Sequence, residues 1–260
     1  MSIAAMPNLA RTLEPYLFVD YTNTDLVLGA PLWLPRLKGS PFSSVDSNGH
    51  VCTVTGALWT PQGRSFDGAD DYIDVGDPLT CVQNTGVFTL CAWVKLTDHT
   101  AATFQIIVGN TGDANTKGFY FTYANNAAPL KRLEVYISNG TGTVVINSKT
   151  DAQVLTDNNW HMLSVTGDGT NIVFYVDTTA YAGTGTIGTL SSGASTRSLT
   201  IGADHSAAAG WTSDLTGIIG GVLGYSRILT PLEIQNIYLA TKWRYESPMP
   251  SRYSDLLRTL

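Results

Sequence analysis

The sequence predicts an all-β protein: a two-sheet antiparallel sandwich with one short C-terminal helix and irregular N- and C-terminal arms. Three observations predict it. Only 14% of the 260 residues are charged, against about 25% in an ordinary domain. Gly (25) and Tyr (12) are plentiful instead, which suits many strands joined by tight turns. Several segments alternate apolar and polar side chains with a period of two, and helical periodicity is confined to one place near the C-terminus.

Taken in order, residues 1–45 carry Pro7, Pro15, Pro31, Pro35 and Pro41. Prolines this frequent remove ladder donors and break helices, so the segment reads as an arm that wraps a surface. Residues 46–243 read as strand, turn, strand. In Phe88–Leu96 one face carries Phe88, Leu90, Ala92, Val94 and Leu96, and the other Thr89, Cys91, Trp93 and Lys95. Leu133–Ser138 sets Leu133, Val135 and Ile137 against Glu134, Tyr136 and Ser138, and Ile172–Asp177 sets Ile172, Phe174 and Val176 against Val173, Tyr175 and Asp177. Asn139-Gly140, Asp168-Gly169 and Ser192-Gly193 supply turns. Thr230-Pro-Leu-Glu233 is a capping box with Pro at the first helical position, and Ile234, Ile237 and Tyr238 form the apolar stripe of a helix of roughly three turns ending near Thr241. Residues 244–260 form a tail whose Leu256, Leu257 and Leu260 suit docking on a neighbouring subunit.

The net charge is −6 and no block of Lys and Arg exists, which excludes nucleic acid and anionic membrane surfaces as expected partners, since both need clustered cations. No run approaches the ~18 apolar residues of a membrane span. The first residues lack a cationic leader pattern, so synthesis in the cytoplasm without a signal peptide is the expectation. Cys52, Cys81 and Cys91 are odd in number and widely spaced, which points to buried reduced thiols rather than a disulfide framework or zinc site.

A family resemblance rests on segments in a fixed order. Asp46-Ser-Asn-Gly-His50 resembles the entry turn of laminin-G-like (concanavalin-A-like) domains. Phe66-Asp-Gly-Ala-Asp-Asp-Tyr-Ile-Asp-Val75, Phe88-Thr-Leu-Cys-Ala-Trp-Val94, Trp160-His161, Leu199-Thr-Ile-Gly-Ala203 and Ile218–Leu229 followed by Glu233-Ile234 are similar to later strands of that family. The resemblance covers roughly residues 45–240 and implies a jelly-roll sandwich of a kind found in both lectins and glycoside hydrolases. Where the family usually has Asp-Glu, this chain has Gly220-Gly221, which weakens the expectation of bound calcium, because a hard cation wants carboxylate oxygens. Asp46, with carbonyls near Gly49, is the remaining calcium candidate; an ordinary turn at 46–49 is the alternative.

Catalytic constellations are missing from the sequence. The histidines His50, His99, His161 and His205 sit in no metal spacing. Asp67, Asp70, Asp71, Asp74 and Asp77 cluster, but the E-x-D-x-E triplet of concanavalin-A-like glycoside hydrolases is absent, and the twelfth position from Asp67 is Pro78 rather than the Glu of an EF-hand. Gly183-Thr-Gly-Thr-Ile-Gly188 matches a dinucleotide fingerprint without the helix that fingerprint needs, and reads as a flexible loop. Asn139-Gly-Thr141 is a glycosylation sequon.

The faces opposite the aliphatic core carry Trp93, Glu134, Tyr136 and Tyr175, and His205 and Trp211 lie in a Gly/Ala-rich loop that would form a rim. Rings stack on sugar faces while polar neighbours fix hydroxyls, so these six residues are the candidate site for a glycan or protein partner. The arm offers an alternative: it would cover the aromatics as a second core layer. The expected function is therefore a non-catalytic binding or structural protein without a cofactor. A virion-associated subunit that forms homo-oligomers through its arms leads, a cellular carbohydrate-binding module comes second, and a glycoside hydrolase or lyase third.

Overall fold

The computed structural model describes residues 24–77, 79–100, 104–111, 115–125, 131–142, 144–193, 195, 197–204 and 214–245. Sixteen strands are present among them, and all pair antiparallel. The protein is an all-β jelly-roll sandwich with one short C-terminal helix.

The first sheet holds β1 (Leu26–Ala30), β4 (Leu58–Thr60), β5 (Gly63–Asp67), β7 (Val87–Leu96), β12 (His161–Asp168), β13 (Ile172–Val176) and β16 (Thr216–Tyr225). The second holds β2 (Phe42–Ser43), β3 (Val51–Thr55), β6 (Tyr72–Asp74), β8 (Phe104–Gly109), β9 (Lys117–Ala124), β10 (Arg132–Asn139), β11 (Val144–Thr150) and β15 (Thr200–Ile201). Strand β14 (Thr179–Ile187) joins them: Thr179–Ala182 pairs with β13, and Gly183–Ile187 pairs with β11.

The alternation in β7, β10 and β13 sorts core from outer face as expected. Phe88, Leu90, Val135, Ile137 and Phe174 are buried between the sheets, where Phe121 of β9 stacks on Phe174 with ring centroids 6.4 Å apart. Helix α1 (Thr80–Thr85) closes one end, touching β7, β9 and β10. Helix α2 (Pro231–Thr241) has the expected capping box: Thr230 Oγ1 accepts from the Glu233 amide, and the Glu233 carboxylate accepts from the Thr230 amide. Its buried residues Ile234 and Ile237 rest on the first sheet's outer side.

Two segments differ from the sequence-based expectation. Within the proline-marked arm, Leu26–Ala30 is a strand added to β16, and residues 32–37 fold onto the sandwich. Prolines 31, 35 and 41 all follow that strand rather than interrupt it, and the buried Arg64 guanidinium anchors the chain beyond it by donating to the carbonyls of Leu37 and Gly39. The glycine-rich stretch 183–188 is not a loop. Its glycines permit close strand approach: a Cβ at Gly183 would lie 2.3 Å from Ser148 Oγ, and one at Gly185 would lie 2.1 Å from the Asn147 carbonyl.

The three cysteines are free. Burial pushes the Cys52 and Cys91 thiols up to about 12 and Cys81 to about 11, so they are protonated and unreactive near neutrality. Among the described residues no helix is long and apolar enough to cross a membrane.

Candidate functional site

The four aromatic and acidic residues that strand parity grouped lie on two opposite outer faces. Trp93 (β7) and Tyr175 (β13) point outward from the first sheet, and Glu134 and Tyr136 (β10) point outward from the second. Parity separates a core face from an outer face but does not say which sheet a strand joins, so a single groove built from all four is ruled out.

The first sheet's outer face is roofed. Trp93 is 5% exposed, stacks on Tyr245 (4.5 Å) and Tyr238 (5.6 Å), and donates its indole N–H to Thr241 Oγ1 at 2.8 Å. Trp160 lies against the other side of the Tyr245 cluster at 4.6 Å. Pro31 and Trp33 complete the lining of a small, mainly apolar cavity beside Trp93 and Tyr245. Arg244 lies 3.2 Å over the Trp33 ring, and burial lowers its pKa to about 10. Tyr175 is likewise buried, which raises its pKa. Trp93 is therefore a packing residue, because α2 and the segments at 31–33 and 244–245 form a second core layer over it, and Tyr175 is buried beside Thr166 and Cys91 on the same face.

The second sheet's outer face is also closely packed, with Tyr120 and Tyr136 each 8% exposed and Arg132 and Glu134 each 4%, but its cluster is polar at its edge. Tyr120 (β9) and Tyr136 stack at 4.9 Å with their planes 3° apart, and Phe104 meets Tyr120 edge-on at 6.3 Å. Tyr120 donates its hydroxyl to Glu134 Oε1 at 3.0 Å, while Arg132 donates from Nε and Nη2 to Glu134 Oε2, both at 3.1 Å. Burial, reinforced by the Glu134 charge, drives the Tyr120 hydroxyl pKa strongly upward, so the phenol stays a donor. With Ile106 and Val144, the two tyrosines form an apolar cluster separate from the main core. Across β11, Tyr136 pairs with Asn147 and Glu134 with Lys149. Asn147 and Lys149 are half-buried, and the Asn147 amide oxygen has no hydrogen-bond partner. Thr184 of β14 lies beyond Lys149 and is exposed. Tyr120, Arg132 and Asn147 escaped sequence reasoning, because their proximity to Tyr136 depends on cross-strand register. His205 and Trp211, the expected rim, lie outside the described residues.

The remaining acidic candidates build turns. Asp46 Oδ2 accepts from the Gly29 amide, and Oδ1 accepts from the amides of Asn48 (2.8 Å) and Gly49 (3.2 Å), with Gly49 at φ +62°. Gly49 gives Asp46 an N–H, and the carboxylate accepts from three amides, which is the ordinary turn that the sequence offered as the alternative to a calcium site. Asp67, Asp70 and Asp71 have oxygens within 4.8 Å of one another. Asp71 Oδ2 accepts from the Asp67 amide and Asp67 Oδ1 from the Ala69 amide, as turn residues do. Of the glutamates among the described residues, Glu134 is committed to Arg132 and Tyr120, and Glu233 to Arg227 and the helix cap. Neither has a lone carboxyl to move protons.

Known proteins agree with this architecture. A family model described as the concanavalin A-like lectin/glucanases superfamily matches residues 67–235. The chain belongs to this superfamily. No curated protein sequence matches it. Among solved structures, domain 4 of AbnA, a GH43 extracellular arabinanase from Geobacillus stearothermophilus in complex with arabinotriose, superimposes with a TM-score of 0.60 at 15% identity, over 82% of this chain and 98% of that one. Trypanosoma rangeli sialidase in complex with sialic acid matches with a TM-score of 0.59 at 19% identity, over 86% of this chain and 34% of the sialidase. The binding domain of botulinum neurotoxin DC in complex with SialylT matches with a TM-score of 0.60 at 10% identity, over 84% of this chain and 52% of that one. The chain thus spans about a third of the sialidase chain and about half of the toxin chain. At these identities the likeness concerns the fold.

Proposed function

We propose that this superfamily member is a non-catalytic binding domain whose ligand is a glycan, held on the outer face of the second sheet. The observation that carries the reading is the Tyr120–Tyr136 stack, braced by Glu134 and Arg132 outside the sandwich core and bordered by Asn147 and Lys149. Stacked rings fixed by a buried ion pair form a rigid, largely buried base for the polar side chains of β11 and β14. The Asn147 side-chain oxygen is buried beside these rings without a hydrogen-bond partner, and the half-buried Lys149 and exposed Thr184 carry a polar strip from it toward solvent. Sugar ligands in the AbnA domain, the sialidase and the toxin binding domain favour the same class of partner for this fold. The committed glutamates favour binding over turnover. The virion setting expected from the arms gains nothing from these matches, and the described part of the N-terminal arm is bonded to its own sandwich.

Glycan-array screening of the intact protein, followed by calorimetry on the best ligand, tests the proposal. Asn147→Ala and Lys149→Ala each weaken binding roughly 2- to 12-fold, the worth of one hydrogen bond at about 0.5–1.5 kcal/mol, without moving the melting temperature. Absence of binding across the array, or affinity indifferent to both substitutions, sinks it.

A further inference from the structure

A cleft of about 540 Å³ opens beside α1. Three elements meet there: the last turn of α1 with Asn84 and Thr85, the turn between β12 and β13 with Gly169 and Thr170, and the end of β14 with the residues that follow it, Ile187 to Leu190. The volume lies within the range of about 300–1,000 Å³ usual for small-ligand sites.

The lining sets what can enter. Among the described residues that line the cleft, none is charged. The adjoining Asp168 accepts from the amides of Thr170 and Asn171, the Thr170 hydroxyl and the Asn171 side-chain amide. Those bonds, the Asn171 side chain foremost, hold its pKa below the usual carboxylate range, so its charge is satisfied within its own turn.

Two hydroxyls of the lining have already committed their hydrogens. Thr85 Oγ1 donates to the Cys81 carbonyl at 2.8 Å and accepts from the Val87 amide at 3.1 Å. Thr170 Oγ1 donates to Asp168 Oδ1 at 2.7 Å and accepts from the Asn171 side-chain amide at 2.9 Å. A hydroxyl has one hydrogen and two lone pairs, so each keeps one lone pair and nothing to donate. Both threonines are exposed, so a ligand that reaches them must bring the donors itself. The apolar part of the lining is Leu190 and Ile187. Leu190 packs on Gly86, where a Cβ would come 2.7 Å from its Cδ1, and the Gly169 amide donates to the Gly86 carbonyl at 3.0 Å. Leu190 is thus fixed where α1 meets the β12–β13 turn, and Ile187, 36% exposed, lines the cleft with it.

Aliphatic groups flanked by acceptors, in a lining without charge, match a sugar ring, which carries C–H groups on its faces and O–H donors around its edge. We infer that this cleft binds a single neutral sugar ring, with Thr85 and Thr170 accepting from its hydroxyls and Leu190 and Ile187 against its C–H face. The site shares no residue with the face at Tyr136 and does not rest on the reading of that face.

Amide NMR of the intact protein, titrated with the methyl glycosides of neutral hexoses and pentoses, tests it. The expected result is saturable shifts of the Thr85, Gly169, Thr170 and Gly188 amides with at least one glycoside. Thr170→Val, which removes one acceptor, raises the Kd roughly 2- to 12-fold. Thr189→Trp, which fills the cleft from an exposed position, abolishes the shifts. Unchanged β7 and β12 resonances show that both variants stay folded. Absence of saturable shifts at these amides with every glycoside overturns the proposal, as do shifts confined to β10 and β11 or shifts that survive both substitutions. Equal affinity for glycerol overturns the assignment of a ring, and binding that requires an amino or carboxylate group on the sugar overturns the neutral class. The outcome is readable whether or not a glycan binds at Tyr136, because the two sites report on different amides.

Discussion

Tyr245 occupies the space that a side chain at position 220 would need: a Cβ on Gly220 would lie 2.5 Å from its ring. Gly220 is also the residue at which β16 slips register against β7, between a half that pairs with β5 and a half that pairs with β1. The acidic pair that the family resemblance leads one to expect here is therefore replaced by a seat for an aromatic ring. Position 220 has changed its task from charge to packing.

That relationship makes Gly220→Ala costly. The ring is stacked against Trp93 and Trp160, and clearing the new Cβ means breaking that stack to shift the ring toward the small cavity beside it, so overpacking should remove about 1–3 kcal/mol of stability. Gly221→Ala is the comparison. Its Cβ would approach the Ala30 carbonyl at 3.3 Å, a contact a small backbone shift relieves. Urea denaturation should rank wild type, Gly221→Ala and Gly220→Ala in descending stability, and equal midpoints for the two variants would refute the seat.

Trp93 separates packing from recognition. Trp93→Ala empties a site closed by α2 and Tyr245 and should cost about 3–5 kcal/mol. Thr241→Val strands the buried indole N–H and should cost about 1–3 kcal/mol. Glycan affinity of the folded Thr241→Val protein should equal that of wild type, measured by calorimetry; a selective loss of affinity would return Trp93 to the binding site.

His161 predicts a pH dependence. Burial alone would lower its pKa, but its hydrogen bonds to Asp177 and Asp157, each at 3.0 Å, and their charges outweigh burial and raise it. A raised value in the folded state means the imidazolium stabilises the fold. That contribution is complete below the unfolded value of about 6.5 and is lost as pH rises through the higher folded value. Denaturation midpoints should therefore decline across that window in wild type and lose that slope in His161→Gln. A slope of the opposite sign would show that burial prevails.

The fold was legible because period-two alternation is a local property, and β7, β10 and β13 each carry it within a few consecutive residues. The helix was legible from Thr230 and Glu233 for the same reason. Strands β1 and β14 were not. Leu26–Ala30 sits among prolines that mark an arm, and Thr179–Ile187 is rich in Gly, Ala and Thr, whose fitness lies in close approach to β11 rather than in alternation. The site was legible only by parity. Trp93 faces outward as its parity requires, yet its cover comes from Thr241 and Tyr245, about 150 residues away in the chain, and no local pattern reveals such contacts.

The outer-face cluster should behave as a unit. Glu134→Gln leaves the buried Arg132 guanidinium without its counter-charge, and breaking one side of a buried pair costs about 3–5 kcal/mol. Replacing Arg132 and Glu134 together by Met and Leu should cost much less, because neither charge is then stranded. A double-mutant cycle by chemical denaturation reads the coupling directly, and additive losses would show that the pair is solvated rather than structural.

Gly185 links the fold to the proposed site. Its φ of +130° is a conformation side chains rarely adopt, and a Cβ there would lie 2.1 Å from the carbonyl of Asn147, the residue whose amide borders Tyr136. Gly185→Ala must therefore push β14 away from β11 at the point where β14 joins the two sheets. The expected result is faster amide exchange along Gly183–Ile187 and β11, while β7 and β12 keep their protection. Glycan affinity should fall with it, because Asn147 and Lys149 ride on the displaced strand. If exchange in β11 rises while affinity holds, the ligand does not rest on this strand, and the binding face must lie elsewhere on the sandwich.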